Sequence, residues 1–136
     1  MVFQKEVTLP AFRRGYHLIT RFILEQLPEL PETGLLNILV KHTSAGITIN
    51  ENADPTVRSD FERFMNKMIP EGDPVYEHTD EGDDDMPAHL KSSVIGASIN
   101  IPITRHRLNL GTWQGIYFCE FRNYGGPRKL VLTVIG

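Results

Sequence analysis

Cysteine is nearly missing from this 136-residue sequence: Cys119 stands alone. A single thiol excludes an internal disulfide and any zinc cluster built from thiolates, and it fits a reducing compartment. Long apolar runs are missing as well. No segment approaches the roughly 20 apolar residues that a membrane-spanning helix needs. Met1-Val2-Phe3-Gln4-Lys5-Glu6-Val7 has neither the basic start nor the apolar run of a secretory leader. A cytoplasmic protein with no membrane partner is expected. There is no basic excess, since 14 Lys and Arg face 17 Asp and Glu for a net charge of −3. With the aromatics falling in core-like alternation, nucleic acid is excluded as the expected partner. What is present is 40% hydrophobic and 23% charged residues, the composition of a globular domain, and residues 1–136 are expected to form one.

The net charge conceals a partition. Glu71, Asp73, Glu77, Asp80, Glu81, Asp83, Asp84 and Asp85 place eight acids among fifteen residues that hold no Lys or Arg. The remaining 121 residues carry fourteen bases against nine acids and are therefore net basic.

Alternation over Val2 to Thr8 predicts a strand, and Pro10 and Gly15 predict a hairpin into a second strand around Tyr16 to Ile19. Thr20 can cap a short helix that Pro28 and Pro31 stop. Leu35 to Val40 predicts a buried strand with Ile47-Thr48-Ile49 as its neighbour. Asp54-Pro55 signals a helix start, followed by Val57, Phe61, Phe64, Met65 and Met68 on one face. The acidic stretch that follows predicts a loop of about fourteen residues, long enough to suggest a functional use. Pro87 begins a further helix through His89, closed by Gly96. Ser98–Ile103, Gly111–Arg122 and Arg128–Ile135 predict antiparallel strands with a turn at Asn123 to Gly126. In the middle strand Trp113, Tyr117, Cys119 and Phe121 share one face, while Ile116 and Phe118 share the other. Two apolar faces in a chain with few helices predict an α+β fold partly covered by another subunit.

Chemistry-bearing residues gather at a few places. His42 ends a buried strand, His78 lies in the acidic loop, and His89 lies on the helix that the loop feeds. Three imidazoles and an open position suit a catalytic zinc, with carboxylates as ligands or supports. The eleven-residue spacing from His78 to His89 matches no compact zinc motif. Asp83-Asp84-Asp85 offers hard oxygen donors that suit magnesium, and a merely solvated acidic loop accounts for the same residues. Thr43 and Ser44, in His42-Thr43-Ser44-Ala45-Gly46, could bind an anion through hydroxyls and amides, or simply connect two strands. Asn50-Glu51-Asn52-Ala53-Asp54 gathers polar groups at a helix start. Capping explains Asp54 but neither Glu51 nor Asn52. Arg105, Arg107, Arg122, Arg128 and Lys129 supply bases suited to diphosphate or to protecting sheet edges. Cys119, among Phe118 and Phe121, is expected to be buried and inert.

His42 to Gly46, Asn50 to Asp54, His78, Asp85-Met86-Pro87-Ala88-His89 and especially Leu110-Gly111-Thr112-Trp113-Gln114 resemble the YjbQ family, whose members are often named secondary thiamine-phosphate synthase. His106 departs from that pattern, where glycine is more usual. The resemblance implies mainly antiparallel or mixed sheets packed orthogonally around a threefold axis, with two or three helices, in a homotrimer. It implies a divalent metal, zinc before magnesium, on His42, His78 and His89, and a small phosphorylated substrate. The family name implies joining of a pyrimidine diphosphate to a thiazole phosphate. In that reaction Arg122 would stabilise departing diphosphate and Asp85 or Glu51 would orient ligands. Trp113 would stack on a heterocycle, and Thr43, Ser44, Asn52 and Gln114 would contact substrate. Hydrolysis of a phosphate ester and non-catalytic binding of a metal or anion stand as rivals.

Overall fold

A computed structural model describes all 136 residues. Eight strands form two sheets. β1 (Val2–Leu9), β3 (Thr33–Val40), β5 (Ser98–Thr104), β6 (Arg107–Leu108) and β8 (Arg128–Ile135) make a five-stranded sheet in the order β1-β8-β3-β5-β6. β2 (Gly15–Leu18), β4 (Ala45–Glu51) and β7 (Gln114–Glu120) make a smaller one in the order β2-β7-β4. Every pairing is antiparallel. The helices are α1 (Thr20–Gln26), α2 (Pro55–Met68) and α3 (Asp85–Ile95), so the architecture is α+β.

β7 explains the layering. Its Ile116 and Phe118 face the large sheet and join Leu36, Ile38, Leu130 and Leu132 in one core. Tyr117 and Cys119 face the opposite way, where with Phe121 they pack against Tyr16, Met65 of α2 and Ala88 of α3. Both apolar faces of this strand are therefore covered within the chain. The outer face of the large sheet is different: Leu35, Leu39 and Ile135 remain 39%, 41% and 56% exposed there.

Two strand pairings also differ from expectation. β1 joins β8 and β2 joins β7, so the first two strands are not a hairpin. Likewise β3 and β4 belong to separate sheets. The links Pro10–Arg14 and Lys41–Ser44 lack the two-residue Gly or Asn turns that close hairpins, and each carries the chain from one sheet to the other.

Candidate metal centre

α2 begins as its sequence predicts, with the Asp54 carboxylate accepting from the Thr56 amide at 2.9 Å and Pro55 in the first turn. α3 begins two residues before Pro87, at Asp85. Proline is tolerated within the first helical turn because the amide it lacks would have no intrahelical partner there. This start takes Asp85 out of the acidic loop and sets it one helical turn before His89. The two side chains then share a face.

The Asp85 carboxyl is the hub, with its side chain only 2% exposed. Its Oδ2 lies 2.7 Å from His78 Nε2 and 3.1 Å from His89 Nε2, while Oδ1 accepts from Arg122 Nη1 at 2.7 Å. Burial opposes the carboxylate charge, but the His78 hydrogen bond and the nearby His89 and Arg122 outweigh it and hold the Asp85 pKa below its ordinary value. Asp84 is held low in the same way. Burial opposes its charge, and the Asn123 amide and the Arg122 guanidinium overcome that.

Arg122 locks this arrangement in place. Its Nε donates to Asp84 Oδ2 at 2.9 Å, Nη1 to Asp85, and Nη2 to the Glu81 carbonyl at 2.9 Å. The hydrogen bond to Asp84 leads the influences that raise its pKa. All three of its nitrogens are engaged within the chain, so it fixes two carboxylates and the loop rather than offering a free fork to a substrate.

His89 Nδ1 lies 2.8 Å from the Thr43 carbonyl oxygen. A carbonyl only accepts, so Nδ1 bears the proton, and in the neutral ring Nε2 turns a lone pair toward the Asp85 oxygen. Two acceptors facing one another need a proton or a cation between them. His78, Asp85 and His89 each offer one ligand atom, and these atoms all lie within 4.8 Å of one another. Two imidazoles and a carboxylate with an open side fit zinc in its three-protein-ligand form. The Thr43 carbonyl supplies the outer hydrogen bond that usually orients a ligating histidine. His78 and His89 are 47% and 31% exposed, which leaves one side of the group open to solvent.

Beside His78 lies a cavity of about 220 Å³ whose lining includes Tyr76, Thr79, Asp73 and Asp83 and no Lys or Arg. An anionic pocket repels phosphate until a cation reverses its sign.

His42 offers no ligand atom to this group. Its Nε2 accepts from the Lys129 amide at 2.8 Å. Burial, followed by the Arg128 charge, lowers its pKa. Ser44 and Arg128 are likewise engaged: the Arg128 guanidinium grips both Glu120 oxygens, at 2.8 and 2.6 Å, and donates to the Ser44 hydroxyl at 3.0 Å. Thr43 stays near the centre through its carbonyl. Cys119 is fully buried, and burial raises its thiol pKa, which fits an inert residue.

The other expected site residues form a second cluster. Asn52 donates to the Thr112 and Gln114 carbonyls, Gln114 Oε1 accepts from the Gly111 amide at 2.8 Å, and Glu51 Oε2 accepts from the Asp54 amide at 3.3 Å. Trp113, in the same turn, is 66% exposed. This cluster sits at the far end of β4 from Thr43, a seven-residue strand about 20 Å long. Within one chain the two groups cannot share a small ligand. The missed signal was Asp85-x-x-x-His89, a helical spacing hidden because the helix was expected to begin at Pro87.

Comparison with known proteins agrees with this architecture. The family model described as "UPF0047 protein YjbQ-like" matches residues 5–136. The UPF0047 protein YjbQ of Salmonella typhimurium is 53% identical, over 100% of this chain and 99% of that protein. The protein of the same description from Escherichia coli O157:H7 is 49% identical over the same shares. A crystal structure of a YjbQ/UPF0047 family protein from Clostridium acetobutylicum is 37% identical, covers 96% of this chain and 99% of its own, and has a TM-score of 0.80. A YbjQ-like protein of Sulfolobus solfataricus, 23% identical, shares the fold at a TM-score of 0.86 over 100% and 98% of the two chains. The chain therefore belongs to the YjbQ-like UPF0047 family.

Proposed function

We propose that this chain is a metal-dependent enzyme acting on a small phosphorylated substrate, with a divalent cation, zinc before magnesium, held by His78, Asp85 and His89. The observation that carries the reading is the His89 ring, whose Nδ1 is committed to the Thr43 carbonyl while its Nε2 converges with His78 Nε2 on one oxygen of the buried Asp85 carboxyl. Bound there, zinc supplies a Lewis acid that polarises a phosphoryl oxygen. Arg122 and Asp84 hold Asp85 in place, and the exposed side of the histidines admits the substrate.

Two reactions remain within this proposal. Joining a pyrimidine diphosphate to a thiazole phosphate asks Arg122 to receive departing diphosphate and Trp113 to stack on a ring. Arg122 is engaged with acids, and Trp113 lies at the other end of β4. Attack of water on a phosphate ester requires only the centre itself and is the version the geometry favours. The synthase version requires a second subunit to bring its Trp113 turn to the centre, so it rests on the homotrimer, which is itself part of the proposal.

Metal analysis paired with turnover tests the reading. Purified protein should hold about one zinc per chain, lose it in His89→Ala and Asp85→Asn, and hydrolyse a phosphomonoester only when loaded. Metal content unchanged by both substitutions would overturn the ligand assignment. Bound metal with neither hydrolysis nor joining of the two thiamine precursors would favour non-catalytic binding.

A further inference from the structure

Three side-chain polar atoms are buried without a hydrogen-bond partner: Arg14 Nε, Tyr16 OH and Arg58 Nε. All three belong to residues lining one cleft of about 490 Å³, where β2 meets the first turns of α2. Arg13 and Ser59 also line it, and Glu62 is its one acid. His17, on its border, is tied to the Arg13 carbonyl at 2.7 Å.

The guanidiniums are not equivalent. Arg14 Nη1 and Nη2 bond Glu71 and Asn66, and its Nε lies 3.2 Å from Glu62 Oε1, close enough for an ion pair but unaligned as a hydrogen bond. Arg13 and Arg58 form neither ion pairs nor side-chain hydrogen bonds within the chain. Tyr16 is 6% exposed, and burial raises its phenol pKa, so the hydroxyl stays a donor. Donors withdrawn from water without acceptors are rare and destabilising, and an incoming acceptor relieves them. Here they come together with two uncommitted positive charges. Tyr16 also borders an apolar hollow of about 230 Å³ lined by Phe61, Phe64 and Met65.

We propose that this cleft is an anion-binding site for a small organic phosphomonoester. Arg58 and Tyr16 donate to its phosphate oxygens, Arg13 adds charge, and its apolar body lies against Phe61 and Phe64. Tetrahedral oxygens suit donors arriving from several directions, and a guanidinium fork suits phosphate. The site is separate from the metal centre, because none of His78, Asp85 and His89 lines it.

Calorimetric titration of the full chain with phenyl phosphate, after metal is stripped with chelator, tests this independently of the metal. Saturable binding is expected, weakened about tenfold or more by Arg58→Gln and about fivefold by Tyr16→Phe. Absence of saturable binding at millimolar ligand, undiminished binding in both variants, or equal affinity for benzoate would overturn the assignment. Thermal melts supply a second readout. Without ligand, Tyr16→Phe should melt at or above the wild-type temperature, because it removes an unpartnered hydroxyl, and it should lose most of the phosphate-dependent rise. A lower ligand-free melting temperature would mean that the hydroxyl already has a partner, and would overturn the proposal.

Discussion

Asp85 and Tyr16 are both polar and buried, and opposite environments surround them. Asp85 accepts from Arg122 and meets a ring nitrogen of both His78 and His89, whereas the Tyr16 hydroxyl meets no partner. The phenol pKa is raised by burial. The unfolded chain therefore gives up this proton first, near pH 10, and the native state loses stability as pH rises past that point. Melting curves from pH 9 to 11 should show wild type falling away from Tyr16→Phe above about pH 10. Parallel curves would contradict the burial of that hydroxyl. Arg122 acts through the carboxylates it holds. Arg122→Met should weaken zinc binding about tenfold or more, as loss of an outer support does, while leaving the three ligands in the sequence. Dialysis against a zinc buffer measures this, and unchanged affinity would remove Arg122 from that role.

At the scale of elements, the turn after β7 shows how a close approach is built. A Cβ on Gly125 would collide with the Glu120 carboxylate, and Glu120 is the buried partner of Arg128. Gly125→Ala must displace that carboxylate. It should cost about 3 kcal/mol by urea unfolding, since a disturbed buried pair leaves a charge uncompensated. A cost below about 0.5 kcal/mol would show that the turn relaxes freely. The same region marks the limit of what patterning discloses. Alternation or short apolar runs made every long strand visible, and Asp54-Pro55 announced α2, because these signals are local. The pairing of β1 with β8 and of β2 with β7 was not visible, since pairing partners about a hundred residues or more apart leave no local trace. The centre was partly visible. His78, Asp85 and His89 stood out by composition and resemblance, but the grouping of Asp85 with both histidines depends on the α3 start, a boundary that Pro87 obscured. His42 looked equivalent to the other two until its Nε2 was found on the Lys129 amide.

The whole molecule is two antiparallel sheets around one core, with α2 and α3 covering the second face of the smaller sheet. Leu35, Leu39 and Ile135 leave an apolar outer face on the larger sheet that no helix covers. If three chains associate, as the proposal holds, light scattering should give about three times the 15.5 kDa chain mass. A 15.5 kDa species at working concentrations would contradict it and confine any activity to the metal centre of a single chain. The charge partition finds its place at this scale: the acidic loop supplies His78 and leads into Asp85, and Arg13 and Arg58 line a cleft elsewhere. The cation centre is the claim on which the proposed function depends, and anomalous diffraction at the zinc edge from crystals grown with zinc tests it most directly. The account predicts a peak about 2.0 to 2.2 Å from His78 Nε2, His89 Nε2 and an Asp85 oxygen. A peak at His42 instead, or none near Asp85, would contradict it.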